Sequence, residues 1–489
     1  MVVLKTNRPE YRNDIAEEIR LFLGLVDIVE NADDPASVEL ELTVALFERD
    51  GLFFAEASTA DGRRYTTQAD LPQQRRLEEK RQEKRAIKIA VFRLLRAIYA
   101  DVSVPWGSLT GIRPTKLFRE LTLGGNAAAA REQFLHLFDV SPAKTELASK
   151  IHSVQQPYIQ SVDSAKDVDV YIGIPFCRTK CLYCSFASEV IGKQDKLTPY
   201  LQTLQTDIAA GAALVRDNGL RVRSMYIGGG TPTVLSAEQL DALLSFALDA
   251  YGGYGREMTV EAGRPDTITA DKLRVLHAHG VRRISINPQT MNDETLVRIG
   301  RAHSAAAIEQ SYALARDIGF SVINMDLIAG LPGENALDFR KTLERVCALQ
   351  PENITIHSLA IKRSSRLKQQ LDAYPLPDAG TTELMIQYGA EAVAAIGMQP
   401  YYMYRQKYMS GNLENTGYAM PGDECVYNID MMEETTSILA HGGCGISKRV
   451  FGAENRVERI PNPKEVAVYM AKLPVLLDAK MRLFSAVCN

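Results

Sequence analysis

Three of the chain's seven cysteines fall within eight residues: Cys177, Cys181 and Cys184 in YIGIPFCRTKCLYCSFAS, spaced C-x3-C-x2-C. Thiolates packed this densely bind metal. A structural zinc ion asks for four nitrogen or sulfur ligands in a tetrahedron, often as two C-x2-C pairs. No histidine or fourth cysteine lies beside these three; along the chain His152 and Cys347 come nearest. A four-iron cluster fits the count better, because three thiolates leave one iron open to an outside ligand. The remaining cysteines, Cys347, Cys425, Cys444 and Cys488, are scattered, and an odd total in a long chain makes no disulfide framework.

Two further stretches carry polar chemistry. YIGGGTPTVLS (226–236) places three glycines after an apolar run, where the backbone can turn tightly or approach a ligand closely. No Gly-Lys-Ser/Thr follows, so it is no phosphate loop. YYMYRQKYMSGNLENTGYAMPG (401–422) is dense in Tyr, Asn and Gly, as binding loops are. There Tyr404, Arg405, Lys407 and Asn412 offer two cations and hydrogen bonds suited to carboxylates, while at least two of the five tyrosines are expected to pack in a core.

These residues need elements to hold them. From 168 onward short β-branched runs alternate with helical stretches. The expected strands are 169–174, 224–229, 258–263, 283–287, 322–330 and 354–360, and the expected helices about 196–217, 236–251, 270–279, 291–299 with 304–318, and 337–349. Six strand–helix units in series imply a parallel sheet with right-handed crossovers. Six is short of a closed eight, so the fold class is α/β with a partial (β/α)6, TIM-like barrel. In such sheets chemistry gathers at the carboxyl ends of strands. The cysteines, the glycines, Glu261, Gln289 and Asp326 all fall there.

Four regions are expected: a small α+β domain over 1–70, a helical linker region over 71–165, the barrel over 166–375, and a C-terminal α+β domain over 376–489 that covers the substrate. In the first, VELELTVALFERDGLFFAEAS reads as two strands joined at Arg49-Asp50-Gly51, preceded by a helix with Ile15, Ile19, Leu21 and Phe22 on one side. Residues 73 to about 100 read as one helix, its charged first half a solvated arm because Glu78, Glu79 and Glu83 interrupt the basic residues. SVPWGSLTGIRPTK (103–116) either lines a site or joins domains.

The net charge of -4 and pI near 6.1 point to no nucleic acid or anionic membrane as the main partner. No apolar run approaches the roughly 20 residues that span a bilayer, and no secretory leader is evident. A cytoplasmic protein, monomeric by expectation, is the resulting picture.

The C-x3-C-x2-C loop after the first strand of a six-unit βα domain resembles the radical S-adenosylmethionine (SAM) superfamily. YIGIPFC…CLYCSF, GGGTPT, VRRISINPQTMND, IGRAH and MDLIAGLPGE together resemble its oxygen-independent coproporphyrinogen III oxidase group, and PWGSLTGIRPTK, INPQTMN and YRQKYMSGNLENTGYA its HemZ-type branch. The likeness runs over roughly residues 100 to 465. It implies that Cys177, Cys181 and Cys184 hold a [4Fe–4S] cluster whose open iron takes the amino and carboxylate groups of SAM. It assigns SAM contacts to Tyr171, Gly229, Gly230, Thr231 and Glu261, with Tyr171 and Glu261 in the catalytic site. Tyr183, Gln289, Arg301 and Asp326 match positions that line a second SAM. The implied reaction is oxidative decarboxylation of coproporphyrinogen III to protoporphyrinogen IX. It needs a tetrapyrrole substrate, held by the Tyr404–Asn412 stretch, and a flavodoxin- or ferredoxin-like electron donor. Two positions depart from the decarboxylases: Gly173 stands where they carry His, and Phe186 where they carry a fourth Cys. Cys444 in HGGCGISK also replaces an expected Gly. Haem trafficking and radical breakdown of haem are the alternative functions.

Overall fold

Alternating apolar residues build the first sheet. A computed structural model describes residues 1–50, 52–69, 76–186, 188–192, 196–362, 364–406 and 412–485. Strands β1 (Val2–Thr6), β2 (Ile28–Val29), β3 (Leu40–Arg49), β4 (Leu52–Thr59) and β5 (Arg64–Ala69) lie in the order β2-β1-β3-β4-β5. β1 is parallel to β2 and β3, and β3–β4–β5 are antiparallel. In β3 every second residue, Leu40, Leu42, Val44 and Leu46, is buried, as a half-covered strand requires. The helix Arg12–Leu23 buries Ile15, Ile19, Leu21 and Phe22.

The helix Arg76–Ile98 forms this unit's core instead of linking domains. Its stripe Ile87, Ala90, Val91, Leu94 and Leu95 packs with Leu4, Ile15, Ile19, Leu42 and Ala55. Its charged half is paired: Lys84 lies 2.8 Å from Asp14, and Tyr11 donates to Glu83 at 2.6 Å. Trp106 is fully buried in the same unit, and Ser108 N–H beside it donates to Phe138 O at 2.9 Å, so the 103–116 stretch includes core.

The chain forms two compact units, Met1–Ser149 with Gly411–Leu413, and Lys150–Ser410 with Glu414–Asn489. The expected boundaries near 70, 165 and 375 therefore do not separate compact bodies. The reason at 375 is sheet pairing, described next.

The second unit holds β6 (Asp167–Ile174), β7 (Phe176–Cys177), β8 (Glu189–Val190), β9 (Arg221–Gly229), β10 (Glu257–Gly263), β11 (Arg283–Ile286), β12 (Val322–Ala329), β13 (Asn353–Ser358), β14 (Gln399–Tyr404), β15 (Asn415–Ala419), β16 (Ser437–His441), β17 (Ile446–Phe451) and β18 (Arg456–Pro461). β6, β9, β10, β11, β12 and β13 are parallel and consecutive in space. Between them run helices Leu197–Asp217, Ala237–Tyr251, Ala270–Ala278, Asp293–Arg298 with Ala305–Ile318, and Ala336–Ala348. These are the six expected units. The helices start where the sequence caps them: Ser236 and Gln239 form a reciprocal capping box, as do Asn335 and Asp338.

The expected C-terminal domain instead finishes this sheet at both edges. β15 adds antiparallel to β13, and β14 antiparallel to β15; β16 adds parallel to β6, followed by antiparallel β17 and β18. An open parallel sheet leaves unpaired N–H and C=O groups along its edges, and these strands satisfy them. Among the described residues no helix is long and apolar enough to cross a membrane.

The register aligns Ile172, Ile227, Val260, Ile284 and Ile323 in one apolar row. The period of two turns Tyr171, Tyr226, Glu261, Ser285 and Asn324 to the opposite face, the barrel interior.

Candidate radical site

The cysteine loop leaves β6 at its carboxyl end. β7 and β8 pair across its base, with Ile191 N–H donating to Cys177 O at 3.0 Å. Farther along, Leu182 N–H donates to Ile299 O and Leu367 N–H to Leu182 O, both at 2.9 Å. The loop is thus tied to neighbouring segments on two sides.

The glycine-rich turn after β9 grips the loop's base. Gly230 N–H donates to Ile174 O at 2.9 Å and Thr231 N–H to Phe176 O at 2.8 Å. A Cβ on Gly230 would run into the Phe176 carbonyl, so only glycine lets the two backbones approach. The Thr231 hydroxyl points at Cys177 Sγ, 3.6 Å away.

Glu261 reaches the same turn from β10. Its carboxylate accepts from Gly229 N–H at 3.2 Å and from Tyr226 OH at 2.8 Å. Burial pushes its carboxyl up to about 7, the Tyr226 bond opposing and the Asp326 charge adding. Tyr171 stands beside it, its hydroxyl 3.4 Å from where a Cβ of Gly229 would be. The rings of Tyr171, Tyr226 and Tyr427 stack, Tyr226 and Tyr427 at 4.6 Å.

Arg301 joins the loop to the end of β11. It donates to Asn287 O at 2.6 Å and to Tyr183 OH at 3.2 Å. Burial acts to lower it, and Tyr183 and Cys181 outweigh that, holding the guanidinium charged. Gln289 takes a left-handed backbone, φ 69°, and is buried. Such a conformation is strained for a non-glycine residue. Here it lets Gln289 bond β12 twice, donating to Asp326 O at 2.9 Å and accepting from Ile328 N–H at 3.0 Å. Asp326 lies on the interior face with His357 3.8 Å away. Burial acts to raise its carboxyl, and His357, Asn324 and Thr355 outweigh it, holding it low.

Of the Tyr-rich stretch, Tyr404 reaches this interior: its hydroxyl lies 3.4 Å from His357 Nδ1, and burial with the Asp326 charge pushes it up to about 12. Arg405 follows, buried. Tyr401, Tyr402 and Tyr418 are core residues. Lys407 lies outside the described residues, and Asn412 groups with the other compact unit.

The pattern that defines the radical SAM superfamily matches residues 171–346. The oxygen-independent coproporphyrinogen-III oxidase-like protein HemZ of Bacillus subtilis is 34% identical over 472 residues, 96% of this chain and 94% of its own. The chain belongs to the radical SAM superfamily, in its oxygen-independent coproporphyrinogen III oxidase-like group. The haem chaperone HemW of Escherichia coli is 29% identical over 62% of this chain and 75% of its own. Among solved structures, the Escherichia coli coproporphyrinogen III oxidase HemN, a radical SAM enzyme, superposes with a TM-score of 0.52 at 25% identity, over 66% of this chain and 72% of that one.

Radical SAM proteins use a [4Fe–4S] cluster and SAM. The donor set suits a cluster. The three cysteines sit on one short loop, and a cluster takes one thiolate per iron. Cys184 is pushed up to about 11 by burial, with the Cys181 and Cys177 charges adding, so the sulfurs share one electrostatic neighbourhood. Deprotonated thiolates there need compensating charge, which iron supplies.

Four residues that the structure brings beside the sequence-predicted ones escaped the sequence reading: Tyr226, Tyr427, His357 and Arg264, whose Nη1 lies 3.9 Å from Cys181 Sγ. The first and third sit at inward positions of strands whose alternation, Ser224-Tyr226-Gly228 and Thr355-His357, is visible in hindsight. Arg264 follows Glu261 in EAGRPD, on a turn with no period to read. Tyr427 comes from the C-terminal region and meets the barrel only through the fold.

Proposed function

We propose that the chain is a radical SAM enzyme that converts two propionates of coproporphyrinogen III to vinyl groups, yielding protoporphyrinogen IX. The observation that carries this reading is the extent of the likeness to HemZ, named as coproporphyrinogen-III oxidase-like, which spans 96% of the chain.

In this reading Cys177, Cys181 and Cys184 would hold the cluster, with SAM bound beside it. When bound, the two would supply reductive cleavage of SAM and hydrogen abstraction. The chain's own residues orient and enclose. Glu261, beside Gly229, offers the N–H groups of SAM's amino nitrogen a carboxylate acceptor. Carbonyls of the Gly229–Thr231 turn add neutral ones, and Tyr171 borders the same position. Arg301 with Tyr183, and Gln289 with Asp326, frame the second SAM position. Tyr404 and Arg405 contact the tetrapyrrole, Arg405 pairing with a propionate. The Tyr171–Tyr226–Tyr427 stack keeps water from the reacting carbon. Each propionate loses one hydrogen atom from its β-carbon, its carboxyl as CO2, and one electron to an acceptor, leaving a C=C bond.

Two residues favour a second reading, haem trafficking: Gly173 and Phe186, where decarboxylases carry His and Cys. Phe186 is largely exposed on the cysteine loop. Anaerobic incubation of reconstituted protein with SAM and reductant, in parallel with coproporphyrinogen or haem and read by mass, separates the readings. Vinyl products from coproporphyrinogen support decarboxylation. Unmodified haem, bound and passed on, supports trafficking, and altered haem supports breakdown.

A further inference from the structure

Arg264 is 4% exposed, and its guanidinium is fully directed. Nε and Nη2 form a fork on Asp266, donating to Oδ1 at 2.9 Å and Oδ2 at 3.2 Å. That leaves Nη1 facing the cysteine loop. It donates to Thr179 Oγ1 at 2.8 Å, to Thr179 O at 3.1 Å, and toward Cys181 Sγ at 3.9 Å. Asp266 is itself held from other sides: Arg178 donates to its backbone carbonyl at 2.7 Å, and buried His303 lies 3.8 Å from its carboxylate. The short helix Pro265–Thr267 fixes the turn, with Thr267 OH donating to Arg264 O at 2.9 Å.

The three cluster cysteines differ in what faces their sulfurs. Cys177 has a neutral hydroxyl, from Thr231. Cys184 has a backbone N–H, from Phe186. Cys181 has the guanidinium of Arg264 and that of Arg301. A guanidinium stays protonated at any working pH. Adding an electron to a thiolate-bound cluster adds negative charge, and hydrogen bonds and cations at the sulfurs lower that cost.

We propose that Arg264 is a positioning residue for the iron–sulfur cluster: its Asp266-locked guanidinium pins the cysteine loop at Thr179 and directs a charge-assisted N–H at Cys181, raising the cluster's reduction potential. This rests on the family's cluster and not on tetrapyrrole decarboxylation. Arg264 acts through Cys181 and Thr179.

The test uses the full chain with its cluster reconstituted and with no SAM or tetrapyrrole present, so it is independent of the proposed reaction. Iron content and an EPR-monitored redox titration are compared for wild type, Arg264→Gln and Arg264→Lys. Arg264→Gln is expected to shift the midpoint potential to more negative values. Arg264→Lys, which keeps the charge and loses the fork, is expected to shift it in the same direction by less. If Arg264→Gln fails to load iron, the Lys variant decides by the same measurement. A fully loaded Arg264→Gln protein at the wild-type potential overturns the proposal. So does a fully loaded Arg264→Lys at that potential where the Gln variant cannot be loaded.

Discussion

Gly173 and Gly443 lie back to back: a Cβ built on Gly173 would stand 2.9 Å from the Gly443 carbonyl oxygen and 3.3 Å from that of His441. β16 has been laid against β6, and the turn that leaves it occupies the space a side chain at 173 would need. Both obstacles are backbone, which cannot swing aside. Gly173→His is therefore expected to push the turn away and disturb the cysteine loop, not to install the imidazole that the decarboxylases carry. Iron per chain after reconstitution should drop, and Gly173→Ala should drop it less. A fully loaded Gly173→His protein would show that the turn yields.

Glu261 titrates in the working range. With its carboxyl raised to about 7, it is a neutral acid below that pH and a carboxylate above it. The ionised carboxylate is the better acceptor for the N–H groups of SAM's amino nitrogen. SAM affinity of the reconstituted protein should rise between pH 6 and 8, and Glu261→Gln should bind more weakly with a flat profile. The pH span follows from a single group passing through its midpoint. Equilibrium dialysis with SAM measures it. A wild-type profile parallel to that of the Gln variant would remove Glu261 from the SAM site.

A buried charge cluster holds the turn that packs on Gly173. Asp207 accepts from Lys480 Nζ and from Tyr469 OH, both at 2.7 Å, and lies 3.0 Å from His441 Nδ1. Burial acts to raise its carboxyl, but His441 and Lys480 outweigh it and hold it well below the carboxylate range. A folded pKa below the unfolded one means the stabilisation is present at neutral pH and lost as pH falls through the folded value. Asp207→Ala leaves the buried Lys480 ammonium unpaired and should cost about 3–5 kcal/mol. Denaturant unfolding at pH 7 checks the size. The gap to wild type should narrow below about pH 4, where carboxylates begin to protonate. A loss under 1 kcal/mol would mean that Lys480 finds another partner.

Cys444 carries a left-handed backbone, φ 66°, at the position where a glycine was expected. That conformation costs a side-chain-bearing residue roughly 1–2 kcal/mol, part of which glycine gives back through its freer unfolded chain. Cys444→Gly should raise the melting temperature slightly, and Cys444→Val, branched at Cβ, should lower it. Equal melting temperatures for all three would show that the turn relaxes.

The six barrel strands were legible because each carries β-branched residues and alternates with a helical stretch, from Asp167–Ile174 to Asn353–Ser358. Their order placed the cysteines, Gly229, Glu261, Gln289 and Asp326 at strand ends. The fate of 376–489 was not legible. Whether Asn415–Ala419 pairs with β13 and Ser437–His441 with β6 depends on which sheet edges are free, and local periodicity does not encode that. The helix Arg76–Ile98 misled for a related reason. Its charged first half looks solvated in isolation, yet Lys84 and Glu83 meet partners some 70 positions away, Asp14 and Tyr11. Arg264 was missed because a turn residue shows neither a period nor a partner until the cysteine loop is folded over it.

The central claim is decarboxylation, and carbon counts it most directly. Coproporphyrinogen III labelled in its propionate carboxyls, incubated anaerobically with the cluster-loaded protein, SAM and a reductant, should release two labelled CO2 per protoporphyrinogen IX formed. Each release should be matched by cleavage of SAM. Cluster-loaded protein that cleaves SAM and releases no labelled CO2 would contradict the account.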